Sequence, residues 1–153
     1  MIALRPLRVD EYADWDAAHR AEYAHGLISH VGMSREDAEA KVERDFAGVL
    51  PNGLATPGTR LWAVEDDGRK VGTVFVGIRD AGAWLYDITI HEEERGRGYG
   101  RAAMTALEDE VRALGHDTIA LNVWGANEVA RGLYTSLGWA EESVHMRKRL
   151  SER

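Results

Sequence analysis

Between an apolar run that ends at Ile90 and an amphipathic run that begins at Tyr99, the chain contains Glu94-Arg95-Gly96-Arg97-Gly98-Tyr99-Gly100-Arg101. Glycines at such a strand-to-helix junction let the backbone approach a ligand closely, and the first N–H groups of the helix have no partner within it. The helix dipole adds partial positive charge at this end, and Arg97 and Arg101 add full charges. The segment therefore predicts an anion site suited to phosphate.

The spacing of the glycines excludes two common phosphate loops. A Walker A loop needs a lysine followed by serine or threonine after its last glycine, and none is present here. A dinucleotide loop has the spacing Gly-x-Gly-x-x-Gly in an early βαβ unit, whereas this segment has Gly96-x-Gly98-x-Gly100. Two other interpretations stay open at this point, a tight turn with solvated arginines and an arginine-glycine loop that contacts RNA.

Apolar periodicity on either side of this loop predicts a mixed α/β architecture. Helical stripes of apolar residues indicate helices over residues 10–25, 34–48, 99–114 and 127–137. Alternating or continuous apolar runs indicate strands over residues 2–7, 61–64, 71–78, 84–91, 118–124 and 139–149. The order is β-α-α-β-β-β-α-β-α-β. Three hairpin-joined strands followed by strand-helix-strand crossovers predict a mixed sheet with helices on its faces.

Residues at the ends of these elements support the assignment. Ser34 is a good N-cap for the second helix, and Asn127 is one for the fourth. Asp67-Gly68 predicts a two-residue hairpin turn, and Gly115 is expected to end the third helix. The residues 50–58 are rich in proline and glycine and predict a loop.

Length and composition predict one globular domain over residues 1–153. The formal net charge of −7 argues against a general affinity for nucleic acid. The chain has neither an apolar run approaching the roughly 18 residues that span a bilayer nor a signal-peptide pattern, so no membrane partner is expected. The absence of cysteine excludes disulfides, thiolate zinc sites and a cysteine nucleophile, and the cytoplasm is the expected compartment. The six histidines show no metal-ligand spacing, so no metal is expected.

The loop and a second element further along the chain resemble the GNAT family of N-acetyltransferases. Arg95-x-x-Gly98-x-Gly100 matches the family signature Arg/Gln-x-x-Gly-x-Gly/Ala. The second element is Leu121-x-Val123-x-x-x-Asn127-x-x-Ala130-x-x-Leu133-Tyr134-x-x-Leu137-Gly138-Trp139. Family members usually carry phenylalanine at the last of these positions, so Trp139 is a departure. Together the two elements cover residues 84–139, and the order of strands and helices upstream fits the same fold.

The resemblance implies that acetyl-CoA binds as the acyl donor. Its pyrophosphate is then expected on the loop, at Arg95, Gly96, Arg97, Gly98, Tyr99, Gly100 and Arg101. Backbone groups of Ile88, Thr89 and Ile90 are expected to pair with the pantetheine arm like an added strand. In the family this happens where two parallel strands separate. The strands over residues 84–91 and 118–124 are therefore expected to diverge at their C-terminal ends.

The resemblance also implies an acid on the fourth helix. Tyr134 lies where the family places the group that protonates the departing thiolate, and a phenol with a pKa near 10 keeps its proton at neutral pH. A packing tyrosine is the alternative interpretation. Asn127 is expected to contact the cofactor as well as to cap its helix.

The base that accepts the proton of the substrate is harder to find. Some family members have a glutamate where this sequence has Asn122, which cannot accept that proton. Asp87, Glu92 and His91 remain nearby in sequence, with Tyr86 as a candidate water anchor. Asp87 is the predicted base because it lies in the middle of a strand, where a solvated surface position is the least natural explanation. A structural aspartate bonded to neighbouring backbone is the alternative.

The predicted reaction is direct transfer of an acetyl group from acetyl-CoA to a primary amine, of a small molecule or a protein, in a ternary complex. No covalent enzyme intermediate is expected, because there is no cysteine and no evident Ser-His pair. The alternative from another class is a non-catalytic acyl-CoA-binding regulatory module. Homodimers are common in the family, so a homodimer is a further expectation.

Overall fold

The computed structural model describes residues 1–150, which divide into one unit over Met1–Asn122 and a second unit that begins at Val123. The strands are β1 (Ile2–Pro6), β2 (Thr59–Asp66), β3 (Arg69–Arg79), β4 (Gly82–Ile90) and β5 (Ile119–Leu121). The helices are α1 (Val9–Gly26), α2 (Arg35–Val49), α3 (Tyr99–Ala113) and α4 (Glu128–Ser136), the last in the second unit. Shorter turns are a π-helical turn at Leu27–Val31 and 3-10 turns at Gly53–Ala55 and Glu92–Glu94.

The five strands form one sheet in the order β1-β2-β3-β4-β5, and the sheet is mixed, as the sequence predicts. Neighbours from β1 to β4 are antiparallel, and β5 lies parallel to β4. Asp67-Gly68 joins β2 to β3 with φ angles of 48° and 86°. Two successive residues with positive φ match the twist of a tight hairpin, so the predicted two-residue turn is confirmed.

Both faces of the sheet are covered by helices. Leu61, Trp62, Ala63 and Val64 of β2 are all buried, which requires apolar neighbours on both sides because successive side chains point to opposite faces. Leu61 and Ala63 share one core cluster with Phe75 and with buried residues of α1 and α2. On the opposite face α3 lies against β1 and β4 and buries Ala103, Met104, Leu107 and Val111.

The start of α1 is tied to β1 through a partly buried ion pair between Arg5 and Glu11. Glu11 accepts a hydrogen bond from the backbone N–H of Arg8 at 2.8 Å and two from the guanidinium of Arg5 at 3.0 and 3.1 Å. The bonds from Arg5 lower the pKa of Glu11 to about 2. Further along the helix, Trp15 is 5% exposed and packs in the core cluster. These two anchors fix which face of α1 meets the sheet.

The helix caps behave as predicted. The hydroxyl of Ser34 accepts a hydrogen bond from the backbone N–H of Asp37 at 3.1 Å, and the Asn127 side chain accepts one from Ala130 at 3.1 Å. Gly115 follows α3 with a φ of 90°, the left-handed conformation that commonly ends a helix. None of the helices in residues 1–150 combines the length and apolar character that crossing a bilayer demands.

The strand predicted over residues 139–149 was wrong, since the described chain has no strand there. Val144 and Met146 alternate with polar residues, but they are 70% and 86% exposed. Alternation indicates only which side chains share a face, whereas a strand also needs a hydrogen-bonded neighbour. The preceding strand is shorter than predicted as well, because β5 ends at Leu121.

Two glycines allow a matched test of the sheet packing. A Cβ added at Gly72 in β3 would lie 2.2 Å from the carbonyl oxygen of Thr89, whereas one at Gly48 in α2 would meet nothing within 4 Å. Gly72→Ala should therefore lower the free energy of unfolding by about 2 kcal/mol or more, because the β3–β4 backbones must separate. Gly48→Ala should raise it by about 0.5 kcal/mol through helix propensity. Denaturant unfolding of both variants checks this, and equal effects would contradict it.

Candidate active site

A bulge in β4 divides this strand into two parts with different neighbours. Phe75 of β3 pairs with Asp87 and Val76 pairs with Leu85, so Tyr86 is an extra residue without a partner across the ladder. The parallel pairing with β5 also ends at Leu85, opposite Leu121. Within residues 1–150, the part of β4 beyond the bulge is therefore paired only with β3. Its other edge carries backbone N–H and C=O groups that no strand uses, as expected for two diverging strands.

The carboxylate of Asp87 lies beside this open edge and binds a histidine of α1. His19 Nε2 is 2.9 Å from Asp87 Oδ2, and the hydroxyl of Thr89 donates to the same oxygen at 2.7 Å. The His19 side chain is 12% exposed and that of Asp87 is 30% exposed. The pair is thus partly shielded from water, and both observed bonds use Oδ2 rather than Oδ1.

The hydrogen bonds of His19 define its protonation in this geometry. Its Nδ1 lies 2.8 Å from the carbonyl oxygen of Trp15, which can only accept, so Nδ1 carries a proton. Nε2 faces a carboxylate oxygen, so a further proton lies between these two atoms. Burial lowers the pKa of His19, but the hydrogen bond and charge of Asp87 outweigh this and the pKa is raised above 6.5.

Aromatic contacts hold the ring of His19 in place. The indole of Trp15 stacks on it, with ring centroids 4.4 Å apart and an angle of 22° between the planes. Trp15 meets Phe75 of β3 edge-on at 5.2 Å, and Phe75 stacks on Tyr86 at 4.6 Å. The chain of rings runs from α1 to the bulge of β4 and limits the freedom of His19 and Tyr86.

The glycine loop follows directly on the open part of β4. Gly96 and Gly98 have φ angles of 78° and 82°, and a Cβ added at either would meet nothing within 4 Å. These glycines are therefore required by the backbone conformation, and no neighbouring protein group fills the space beside them. Gly98 is the N-cap of α3 and offers no side chain to the first N–H groups of that helix. The junction is therefore open, as an anion site of the kind predicted from the sequence would require.

Side chains around the loop hold it against the sheet. Glu94 is 7% exposed and pairs with Arg69 of β3, and Arg97 donates to its second oxygen at 3.3 Å. The hydrogen bond from Arg69 lowers the pKa of Glu94. Tyr99 donates to Asp66 at 2.7 Å, and Arg95 Nε donates to the carbonyl oxygen of Ile90 at 3.0 Å. Three predicted loop residues thus help to fix the loop itself: Arg95, Arg97 and Tyr99.

The other candidate residues differ in their surroundings. His91 donates its backbone N–H to Val71 at 2.8 Å, and Glu92 is exposed in the 3-10 turn that follows. Asn122 is exposed just after β5. Within the second unit, the ring of the half-buried Tyr134 lies 5.6 Å from that of Trp139. In the described part of the chain, no three His, Cys, Asp or Glu residues are grouped to hold a metal ion.

Sequence reasoning missed His19, which contacts the predicted base. The spacing of His19 from Tyr12 and Trp15 could have indicated it, because residues 12, 15 and 19 lie on one face of a helix. A histidine on the stripe that carries Trp15 must be buried, and a buried histidine needs polar partners. His19 and its partner Asp87 on β4 are 68 positions apart in the sequence, so the sequence pattern could not identify Asp87 as that partner.

Comparison with known proteins agrees with this fold. A family model described as "Acetyltransferase (GNAT) family" matches residues 12–139. The uncharacterized N-acetyltransferase YycN of Bacillus subtilis (strain 168) is 30% identical over 97% of this chain and 99% of its own length. The crystal structure of YycN superimposes with a TM-score of 0.94 over 99% of this chain and 100% of that one.

Two further proteins show similarity at lower identity. The uncharacterized N-acetyltransferase YdgE of the same bacterium is 26% identical over 96% of this chain and 97% of its own. The ribosomal-protein-S18-alanine N-acetyltransferase of Escherichia coli shares the fold, with a TM-score of 0.64 and 22% identity over 94% of this chain and 80% of its own. Because the family model spans most of the sequence and the match to YycN runs almost end to end, this chain belongs to the GNAT family of N-acetyltransferases.

Proposed function

We propose that this protein transfers an acetyl group from acetyl-CoA to a primary amine. The observation that carries the proposal is the open edge of β4 beyond Leu85, which leads directly into a glycine loop at the start of α3. An extended ligand arm needs unused backbone N–H and C=O groups along an edge, and a pyrophosphate needs an open helix start. The chain offers both in succession.

The residues that would hold acetyl-CoA follow from this arrangement. Backbone groups of Ile88, Thr89 and Ile90 would bind the pantetheine arm. The pyrophosphate would lie against the loop residues Arg95, Gly96, Arg97, Gly98, Tyr99, Gly100 and Arg101. The empty space beside Gly96 and Gly98 supports this fit, since among residues 1–150 no atom beyond the adjoining residues lies within 4 Å of an added Cβ at either. When bound, acetyl-CoA supplies the acyl group as a thioester.

Asp87 is the group proposed to accept the proton of the amine. An alkylammonium has a pKa of about 10.4, so removing its proton at pH 7 costs about 4.6 kcal/mol without help. Asp87 lies at the start of the open part of β4, and its Oδ1 is the oxygen that neither His19 nor Thr89 uses. A carboxylate there can take the proton directly or through a water molecule.

Tyr134 is proposed as the acid, and the sequence element around it supports this role. In direct transfer, the amine nitrogen forms the new bond to the acetyl carbon and the carbon–sulfur bond breaks. The ammonium proton passes to Asp87, and Tyr134 donates its phenolic proton to the leaving sulfur. Asn127, which caps α4 through Ala130, is proposed to contact acetyl-CoA as well. The amine belongs to a small molecule or to a protein side chain or terminus.

The reaction is tested by release of free thiol. In the presence of acetyl-CoA and a panel of primary amines, the protein should release CoA only when an accepted amine is present. A non-catalytic regulatory module would bind acetyl-CoA but release no thiol with any amine, which would contradict the proposal. Mass spectrometry of the amine products should show a gain of one acetyl group for each thiol released.

The cofactor loop is tested by a matched pair of valine substitutions at the two ends of α3. Gly98 and Gly115 have φ angles of 82° and 90°, and both face open space, so a side chain strains either backbone equally. Gly98→Val should weaken CoA binding at least tenfold, about 1.4 kcal/mol, because the side chain fills the phosphate site. Gly115→Val should leave the affinity unchanged. Calorimetry measures the affinity of each variant for CoA. Equal affinities of the two variants would contradict the binding of the pyrophosphate at this loop.

The role of Tyr134 is tested by Tyr134→Phe, which keeps the ring and removes the proton. If the phenol protonates the leaving sulfur, kcat should fall roughly 10- to 1000-fold with a smaller change in the affinity for CoA. The measurement must be made where chemistry limits the rate, which a single-turnover experiment establishes. An unchanged single-turnover rate would make Tyr134 a packing residue beside Trp139.

A further inference from the structure

We propose that His19 and Asp87 act as one proton-accepting pair, in which His19 is a positioning residue that determines when Asp87 can take the amine proton. The proposal rests on the proposed function, in which Asp87 is the base. It starts from the 2.9 Å contact between His19 Nε2 and Asp87 Oδ2, which joins α1 to β4 beside the open edge.

Counting protons shows that the pair has a single titrating position. Nδ1 of His19 donates to the carbonyl oxygen of Trp15 at 2.8 Å, and that acceptor never carries a proton. Nδ1 therefore stays protonated at all working pH values. Only the position between Nε2 and Oδ2 can be occupied or empty. With this proton the pair is neutral overall, and without it the pair carries one negative charge.

Only the pair without this proton is suited to the reaction. Its negative charge attracts an ammonium ion and leaves the carboxylate free to accept. One ammonium N–H bond then breaks, the proton passes to a carboxylate oxygen of Asp87, and the nitrogen keeps the electron pair. The pair now holds one proton, as in the observed geometry, and returns it to solvent before the next cycle. Thr89 contacts both partners, at 2.7 Å from Asp87 Oδ2 and 3.4 Å from His19 Nε2, and when the proton is absent its one hydroxyl hydrogen still satisfies Oδ2.

The surroundings of His19 favour the proton on the pair. Asp87 on β4 and Glu22 on α1 add negative charge that favours the imidazolium, while burial opposes it. Arg20, the next residue along α1, is bonded to Asp16 and to Glu43 of α2. With the pKa of His19 raised above 6.5, the pair keeps its proton below that pKa and loses it as the pH rises through it. The acidic limb of kcat/KM should therefore follow the raised pKa of His19 and lie far higher than a lone aspartate would place it.

The first test follows the titration of the His19 ring by NMR in the protein without ligands, so it does not depend on activity. In the wild type, the pKa of His19 should be raised from the ordinary value of histidine. In Asp87→Asn, which is nearly isosteric, its pKa should fall by at least one unit, because the charge of Asp87 is lost while burial still lowers the pKa. The exposed His25 on the same helix supplies the reference signal. A His19 signal that titrates identically in both proteins would overturn the proposal.

The second test compares the pH profiles of His19→Gln and His25→Gln. A glutamine amide at position 19 can still donate to Asp87 but cannot titrate, so the acidic limb of kcat/KM should move at least one pH unit lower. The same substitution at the exposed position 25 should leave the limb in place. If folded His19→Gln shows the same acidic limb of kcat/KM as the wild type, the proposed role of His19 is wrong. The proposed acetyl transfer is not affected by that result. If the wild type acetylates no amine, the proposed function is contradicted. The NMR titration still tests whether His19 and Asp87 form one titrating pair.

Discussion

The end of the parallel pairing between β4 and β5 at Leu85 is the constraint on which the site depends. Up to this residue, β4 is an interior strand with its backbone groups used on both sides. Beyond it, a bulge at Tyr86 shifts the register with β3, and the backbone on the other side has no strand partner among residues 1–150. One strand thus serves two purposes, because its first half holds the sheet together and its second half is available to a ligand. A short 3-10 turn, the glycine loop and α3 follow that free half, so the helix start proposed to bind an anion comes soon after the open edge.

The second requirement is a fixed position for α1, which contributes no strand pairing and buries few side chains. Glu11 and Arg5 fasten its start to β1, and Trp15 anchors its middle in the core. His19 lies one turn beyond Trp15 and stacks on its indole, so the same anchor that holds the helix also aims an imidazole at Asp87. A polar contact in this partly buried place is strong because water competes poorly for it. The ion pair at the helix start is remote from the chemistry, yet it determines where the histidine lies.

Local patterns in the sequence predicted most of the fold, and distant contacts account for what they missed. The hairpin at Asp67-Gly68, the caps at Ser34 and Asn127 and the end of α3 at Gly115 all follow from neighbouring residues, so each was readable. The strand over residues 139–149 failed because alternation cannot supply a hydrogen-bonded partner. In the site, the glycine loop was predicted from the spacing of glycines within eight residues. The resemblance to a family then supplied the expectation that its ligand is acetyl-CoA. His19 was missed because its partner lies on another element, and no periodicity connects α1 with β4.

The open part of β4 also carries a hazard that the sheet must control. A strand edge with unused N–H and C=O groups is a template for pairing with another polypeptide, which is how many sheet proteins begin to aggregate. The bulge at Tyr86 limits this risk, because it interrupts the regular ladder at the point where the free edge begins. Only the few residues from the bulge to Ile90 remain available, and the chain then turns into a 3-10 segment with three successive glutamates, Glu92–Glu94. A short, interrupted edge followed by the exposed carboxylates of Glu92 and Glu93 can receive a narrow ligand arm, and it is a poor template for pairing with further strands.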